Sequence, residues 1–311
     1  MQIQVRINEE GTLRNQRYAF TDRFTLISEL LQNARRAGAA QIEIRYDAAS
    51  QILHVTDDGH GIDDFQKLLS FNESGWDAAT CAEERPFGVG FSKCLYATSR
   101  CIVASGRQSV DFDTGAALAK SPIEVMQVGE SDAIAGTRIE LHGVDLSDPG
   151  ARIETLCLGF PVPVLFNGKS LELRFAEAHL ATMPSPMGTM HLTGTRDGKH
   201  SHHTMVFLQG FCVLNTGYHL FGDINVVHLD SRQFVARLPD RDKLIDEDVQ
   251  RKRIEAELKK GWRRILEVAK TELAPDRFVE IYYPATRAWG HIDLLNDLDV
   301  LPCELFDAIV D

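Results

Sequence analysis

No apolar run in this chain approaches the about 20 residues that a bilayer-spanning helix needs, and the opening stretch MQIQVRINEEG carries no apolar signal core. A membrane-anchored or secreted protein is therefore not expected, and a cytosolic one is. Cysteine is sparse and unpatterned. Cys81, Cys94, Cys101, Cys157, Cys212 and Cys303 form no CxxC pair, which argues against a zinc site or a redox dithiol and for reduced, mostly buried thiols. Basic residues are the minority, 33 Lys and Arg against 45 Asp and Glu, and the net charge of −12 offers no overall attraction to nucleic acid or anionic membrane. Repeats and low-complexity segments are absent. His200, His202 and His203 lack cysteine or carboxylate partners and follow the turn formers Asp197-Gly198-Lys199, so a hairpin tip is favoured over a metal site.

What the chain does have is the balance of a globular protein, 44% hydrophobic and 25% charged, over 311 residues, a length that suits two domains. Ile3, Val5 and Ile7 alternate as in a half-buried strand. Leu26, Ile27, Leu30, Leu31 and Ala34 recur at helical spacing over 25–37, before Gly38. Strands are predicted at 41–46 and 52–56, then a polar loop or lid at 71–87, then a glycine turn leading into a helix at 90–97. Further strands are predicted at 99–105, 108–114, 122–128 and 136–142, closing a first domain, 1–145. LSDPG at 146–150 reads as a linker into a helix at 151–159 and a second domain, 151–311. There Asn167-Gly168 signals a hairpin, strands are predicted at 189–195, 203–208, 211–214 and 224–229, and 246–273 reads as one long charged helix or two in series.

Four short segments carry chemistry. Glu29, Asn33 and Ala37 lie four apart within ELLQNARRAGA, on one helical face where apolar groups are usual. An inward carboxylate and amide are costly without a ligand: the amide oxygen suits Mg2+ and the carboxylate can take a proton from water. Asp57 opens DDGHGI directly after a strand, where it can accept a hydrogen bond from an exocyclic amine while Gly59 and Gly61 allow close approach. Gly88-Val89-Gly90 precedes a helix and offers backbone N–H groups to phosphate. Thr137, in GTRIELHG, offers a hydroxyl at the head of a strand. Each segment alone has a bland alternative, a solvated helix face or an ordinary turn.

Taken together and in this order, ELLQNARRAGA, DDGHGI, FGVGF and GTRIELHG resemble the four boxes of the GHKL superfamily: gyrase, the ninety-kilodalton heat-shock chaperone, histidine kinases and MutL. FGVGF is similar to the chaperone branch. The resemblance implies an α/β two-layer sandwich with a Bergerat ATP-binding fold, followed by an α+β transducer or middle-like domain. It implies ATP and Mg2+ as ligands, Glu29 as general base and Asn33 as the Mg2+ ligand. Asp57 would read the adenine amine with Gly59, Gly61, Ile62, Ala37 and Thr137 around it, while Gly88, Val89, Gly90 and Phe91 face phosphate. Lys93 either adds charge there or is solvated. Arg85 stands where the chaperone pattern has a further glycine, which bears on the hinge of the lid.

In the second domain, LPDRDKLIDED resembles the chaperone middle-domain loop, and Arg241 matches its γ-phosphate arginine. The alternative is a loop arginine paired with Asp240 or Asp242. The implied activity is a Mg-ATP-driven clamp that closes its lid, docks Arg241, joins two N-terminal segments as a homodimer and acts on an unidentified client protein. The alternatives are a nucleotide-sensing module with little hydrolysis and a DNA-repair or topoisomerase-like ATPase, the latter disfavoured by acidity. A histidine kinase is not expected, since only about 20 residues precede the motif helix, fewer than a phosphoacceptor helix pair needs.

Overall fold

The computed structural model describes residues 3–19, 22–71, 73, 75–84, 90–194, 197–217, 223–237 and 241–300. Two compact units divide the chain, Met1–Ala176 and Glu177–Arg237 with Arg241–Asp311. Each is mixed α/β, with one sheet of eight strands and one of five. Among the described residues, no helix is long and apolar enough to cross a membrane.

The first unit opens with α1 (Glu9–Gln16), where the Asn8 side chain accepts the Gly11 N–H. The strand expected at 3–7 is not formed. Ile3, Val5 and Ile7 are exposed, so their alternation finds no sheet face to bury against. α2 (Thr25–Arg36) follows the predicted helix and buries Leu26, Ile27, Leu30 and Leu31. β1 (Ile42–Asp47) and β2 (Ile52–Asp57) pair antiparallel, as the meander predicts. The predicted lid is not wholly loop: α3 (Ala78–Glu84) forms within it, where Asp77 accepts the Ala79 and Thr80 N–H groups. Next come α4 (Ser92–Ala97), β3 (Arg100–Gly106), β4 (Gln108–Asp113) and α5 (Thr114–Leu118). β5 is only Met126–Gln127, shorter than the strand expected at 122–128, and β6 is Ile134–His142.

The expected domain boundary at 145–151 lies inside this unit. α6 (Pro149–Leu156) starts within the segment read as a linker, with proline in its first turn, where a missing N–H costs nothing. β7 (Val164–Phe166) then adds parallel to β1, and β8 (Lys169–Ser170) closes the Asn167-Gly168 hairpin. The order is β5-β4-β3-β6-β2-β1-β7-β8. Ile42, Ile44 and Tyr46 of β1 are buried while Arg45 and Asp47 are exposed, so the sheet is covered on one face there. Hydrogen bonding across β7 explains why turn-forming residues at 146–150 mark no boundary.

In the second unit β9 (Met183–Ser185), β10 (Gly188–His191), β11 (Thr204–Leu208), β12 (Phe211–Asn215) and β13 (Asn225–Leu229) form the order β12-β11-β13-β10-β9. α7 (Glu247–Glu272) is a single helix, and α8 (Pro275–Ala288) follows it. Trp262, Leu258 and Leu266 of α7, with Phe278 of α8, share a buried cluster with Val206, Val227 and Met190 of the sheet. The histidine cluster belongs to this unit's fabric. His202 stacks on Trp289, ring centroids 5.3 Å apart, and His203 Nε2 lies 2.8 Å from Asn215 Oδ1.

Candidate functional site

The predicted residues of the first unit lie along α2, from Glu29 in its second turn to Ala37 at its C-terminal end, where the loop after β2 meets it. Glu29 is 4% exposed on α2, and Lys93, 3% exposed on α4, places Nζ 3.7 Å from Glu29 Oε1. Lys93 is thus buried and not the solvated lysine of the alternative reading. The stretch Gly90-Phe91 approaches the same carboxylate, and a Cβ built on Gly90 would lie 2.3 Å from Glu29 Oε2. Any side chain there would force the Glu29 carboxylate to move. Asn33, one turn along α2, is half-buried. Gly88 and Val89 lie outside the described residues, as does Arg85.

Asp57 ends β2 and is buried, and its Oδ1 accepts the Gly59 N–H at 2.9 Å. Burial pushes its carboxyl above the usual carboxylate range, against the opposing pull of that Gly59 hydrogen bond. The loop after it is tied to α2, because the His60 N–H donates to Ala37 O at 2.9 Å. Gly61 takes a left-handed φ of +82°, and Gly136 one of +73° with its Cβ position only 2.0 Å from Asp57 O, so the two loops pass backbone to backbone. Thr137, 7% exposed, sits opposite Asp57 in the β2–β6 register. Glu29, Ala37, Asp57, Gly59, Gly61, Ile62, Gly90, Phe91, Lys93 and Thr137 therefore belong to segments that meet in one unit.

Two features escape motif reading. Ser105, 3% exposed at the end of β3, accepts the Ile62 N–H at 2.8 Å and donates to Gly136 O at 2.7 Å. The available signal was strand alternation, since Cys101, Val103 and Ser105 share a face and only the last is polar. The second is Glu84 at the end of α3, 2.5 Å from Arg35 Nη2 and 2.8 Å from Arg36 Nε, with the Arg36 side chain 2% exposed. Trp76 lies edge-on to His60, ring centroids 6.1 Å apart, and under the Arg36 guanidinium at 6.0 Å. The described part of the predicted lid is thereby fastened to the end of α2.

Arg241 belongs to the second unit. Its loop is pinched at the base by the Ala236–Leu244 bridge and by the Arg237 N–H donating to Lys243 O at 2.7 Å. Arg241 takes a left-handed φ of +55° and directs Nη1 to Gln209 Oε1 at 3.4 Å. Asp242 pairs instead with Arg237 at 3.5 Å, and Asp240 lies outside the described residues.

The donor set suits a magnesium nucleotide chemically. A buried carboxylate beside two glycine-lined turns can take an exocyclic amine, and an amide and a second carboxylate one helical turn apart suit a hard cation and a water proton. No protein-family model matches this chain, and no curated protein matches it.

Proposed function

We propose that the chain is a GHKL-type, Mg2+-dependent ATPase whose first unit is a Bergerat-type nucleotide fold. The observation that supports this reading most is the burial of three ionisable side chains beside glycine-bearing turns, Glu29 and Lys93 at the second turn of α2 and Asp57 at the end of β2. Burying such groups is costly unless they have work to do, and Asp57, whose carboxyl burial raises, is of the kind that clusters at functional sites. In this reading Asp57 accepts the adenine N–H, Thr137 and Gly61 flank it, and Asn33 holds the metal. Mg-ATP supplies the transferable phosphoryl group and the charge that eases its departure. Glu29 takes the proton of the attacking water as that water's oxygen bonds to phosphorus and ADP leaves. Lys93 keeps Glu29 oriented. Arg241 keeps the role that the resemblance gives it, stabilising charge on the transferred group.

The Glu29–Lys93 pair also favours a second reading. A carboxylate engaged by a buried ammonium 3.7 Å away is occupied by a partner other than water, as suits a nucleotide sensor that hydrolyses little.

Titration calorimetry with ADP and a phosphate-release assay on the full chain test both readings. ADP affinity is expected to fall at least tenfold in Asp57→Asn, and an unchanged affinity overturns the assigned pocket. Phosphate release is expected to drop about 100-fold or more in Glu29→Ala and in Arg241→Ala. A wild-type rate no higher than that of Glu29→Ala leaves the sensor.

A further inference from the structure

We infer that Ser105 is a positioning residue that shapes the base-reading half of the pocket, an assignment that rests on the nucleotide site proposed above. Asp57, Thr137 and Ser105 stand side by side on three adjacent strands, because Thr137 is the register partner of Asp57 on β2 and of Ser105 on β3. Immediately beyond this row the ladder breaks. Ser105 pairs with Thr137, but Gly106 pairs with Ile134, so Ala135 and Gly136 bulge out of β6. A bulge leaves backbone groups without ladder partners, and buried ones must find others.

The Ser105 hydroxyl answers that need in both directions. It donates to the bulge carbonyl of Gly136 at 2.7 Å and accepts the N–H of Ile62, on the loop that follows Asp57, at 2.8 Å. One oxygen thereby joins the two loops that flank the Asp57 carboxylate. The loop rests directly on it, since a Cβ at Gly61 would fall 2.4 Å from Ser105 Oγ. Ser105 belongs to none of the four motifs yet touches two of them, and at 3% exposure its hydroxyl is not a surface group. Removing the oxygen leaves a donor on one loop and an acceptor on the other unpaired, and lets the two drift apart. The carboxylate would remain, but its distance from Thr137 and Gly61 would no longer be held.

Calorimetry with ADP and with GDP on the full chain tests this, using wild type, Ser105→Ala, Ser105→Cys and Asp57→Asn. Ser105→Ala is expected to weaken ADP roughly tenfold and to narrow the preference for ADP over GDP, since it removes two buried hydrogen bonds whose loss reaches the nucleotide only through the two loops. The preference is the informative readout, because a merely destabilised fold would weaken both nucleotides alike. Ser105→Cys keeps nearly the same volume with a weaker donor and acceptor, and is expected to fall between wild type and Ser105→Ala. If Asp57→Asn loses ADP while both Ser105 variants keep the wild-type affinity and preference, the role is overturned and the pocket stands. If wild type binds no adenine nucleotide, the pocket and this role fail together.

Discussion

Asp57 is held at a cost. Its carboxyl is driven above the ordinary value of 3.8 chiefly by burial, so the folded chain takes up a proton more readily than the unfolded one. Below the ordinary value both states are neutral and Asp57 costs nothing. As pH rises through the raised value the buried group must ionise, and stability is lost. Asp57→Asn keeps an oxygen for the Gly59 N–H and removes the charge. Its Tm is therefore expected to exceed that of wild type at neutral pH and to converge with it in acid, even as nucleotide binding fails. A wild type more stable than the variant at neutral pH contradicts this account. The sequence discloses Asp57 because strand and turn are contiguous, and it discloses Glu29 because a helix brings residues four apart onto one face. It conceals the burial of Lys93, which depends on α4 packing beside α2.

α3 is fastened by charge rather than by apolar packing, for it contains no buried residue of its own. Burial alone would push the Glu84 carboxyl up, but the hydrogen bonds and charges of Arg35 and Arg36 outweigh it and hold it below the ordinary 4.5. For a lowered carboxyl the contribution is full above the ordinary value and disappears as pH falls through the lowered one. Glu84→Ala leaves the Arg36 charge buried without this carboxylate and is expected to cost about 3 kcal/mol in denaturant unfolding. Cys81, half-buried on α3, should react faster with iodoacetamide in that variant than in wild type, both measured at neutral pH. Cys94 and Cys101, buried with their thiols pushed up by burial, should stay protected in both. Labelling of Cys81 at the wild-type rate in Glu84→Ala counts against the fastening. The segment reads as loop in sequence because its helix buries no residue of its own and its anchor comes from α2, 48 residues away along the chain for the Arg36 bond.

Two units with an excess of acid over base have little to offer a polyanion. At the net charge of −12, duplex DNA added at near-physiological salt is expected to leave the phosphate-release rate unchanged. A several-fold stimulation would restore the DNA-linked alternative. The division of the chain was only partly legible. Two units are apparent from length and pattern, but the boundary is not, because LSDPG carries every mark of a linker while β7 returns to pair with β1 across 122 positions, as in the Ile42–Val164 register. Parallel addition of a three-residue strand leaves almost no periodic trace.

Local order decided what could be foreseen: where α2 runs, that its acid and amide stand one turn apart, where β2 ends in a carboxylate, and that Asn167-Gly168 turns a hairpin. These follow from backbone periodicity and turn stereochemistry over a few residues. Contacts between distant segments decided the rest: the exposure of the alternating residues at 3–7, the reach of the first sheet to β8, the fastening of α3, and the Ser105 bridge between residues 43 and 31 positions away. Such pairings depend on register and burial, which exist only once the sheet has closed around its core.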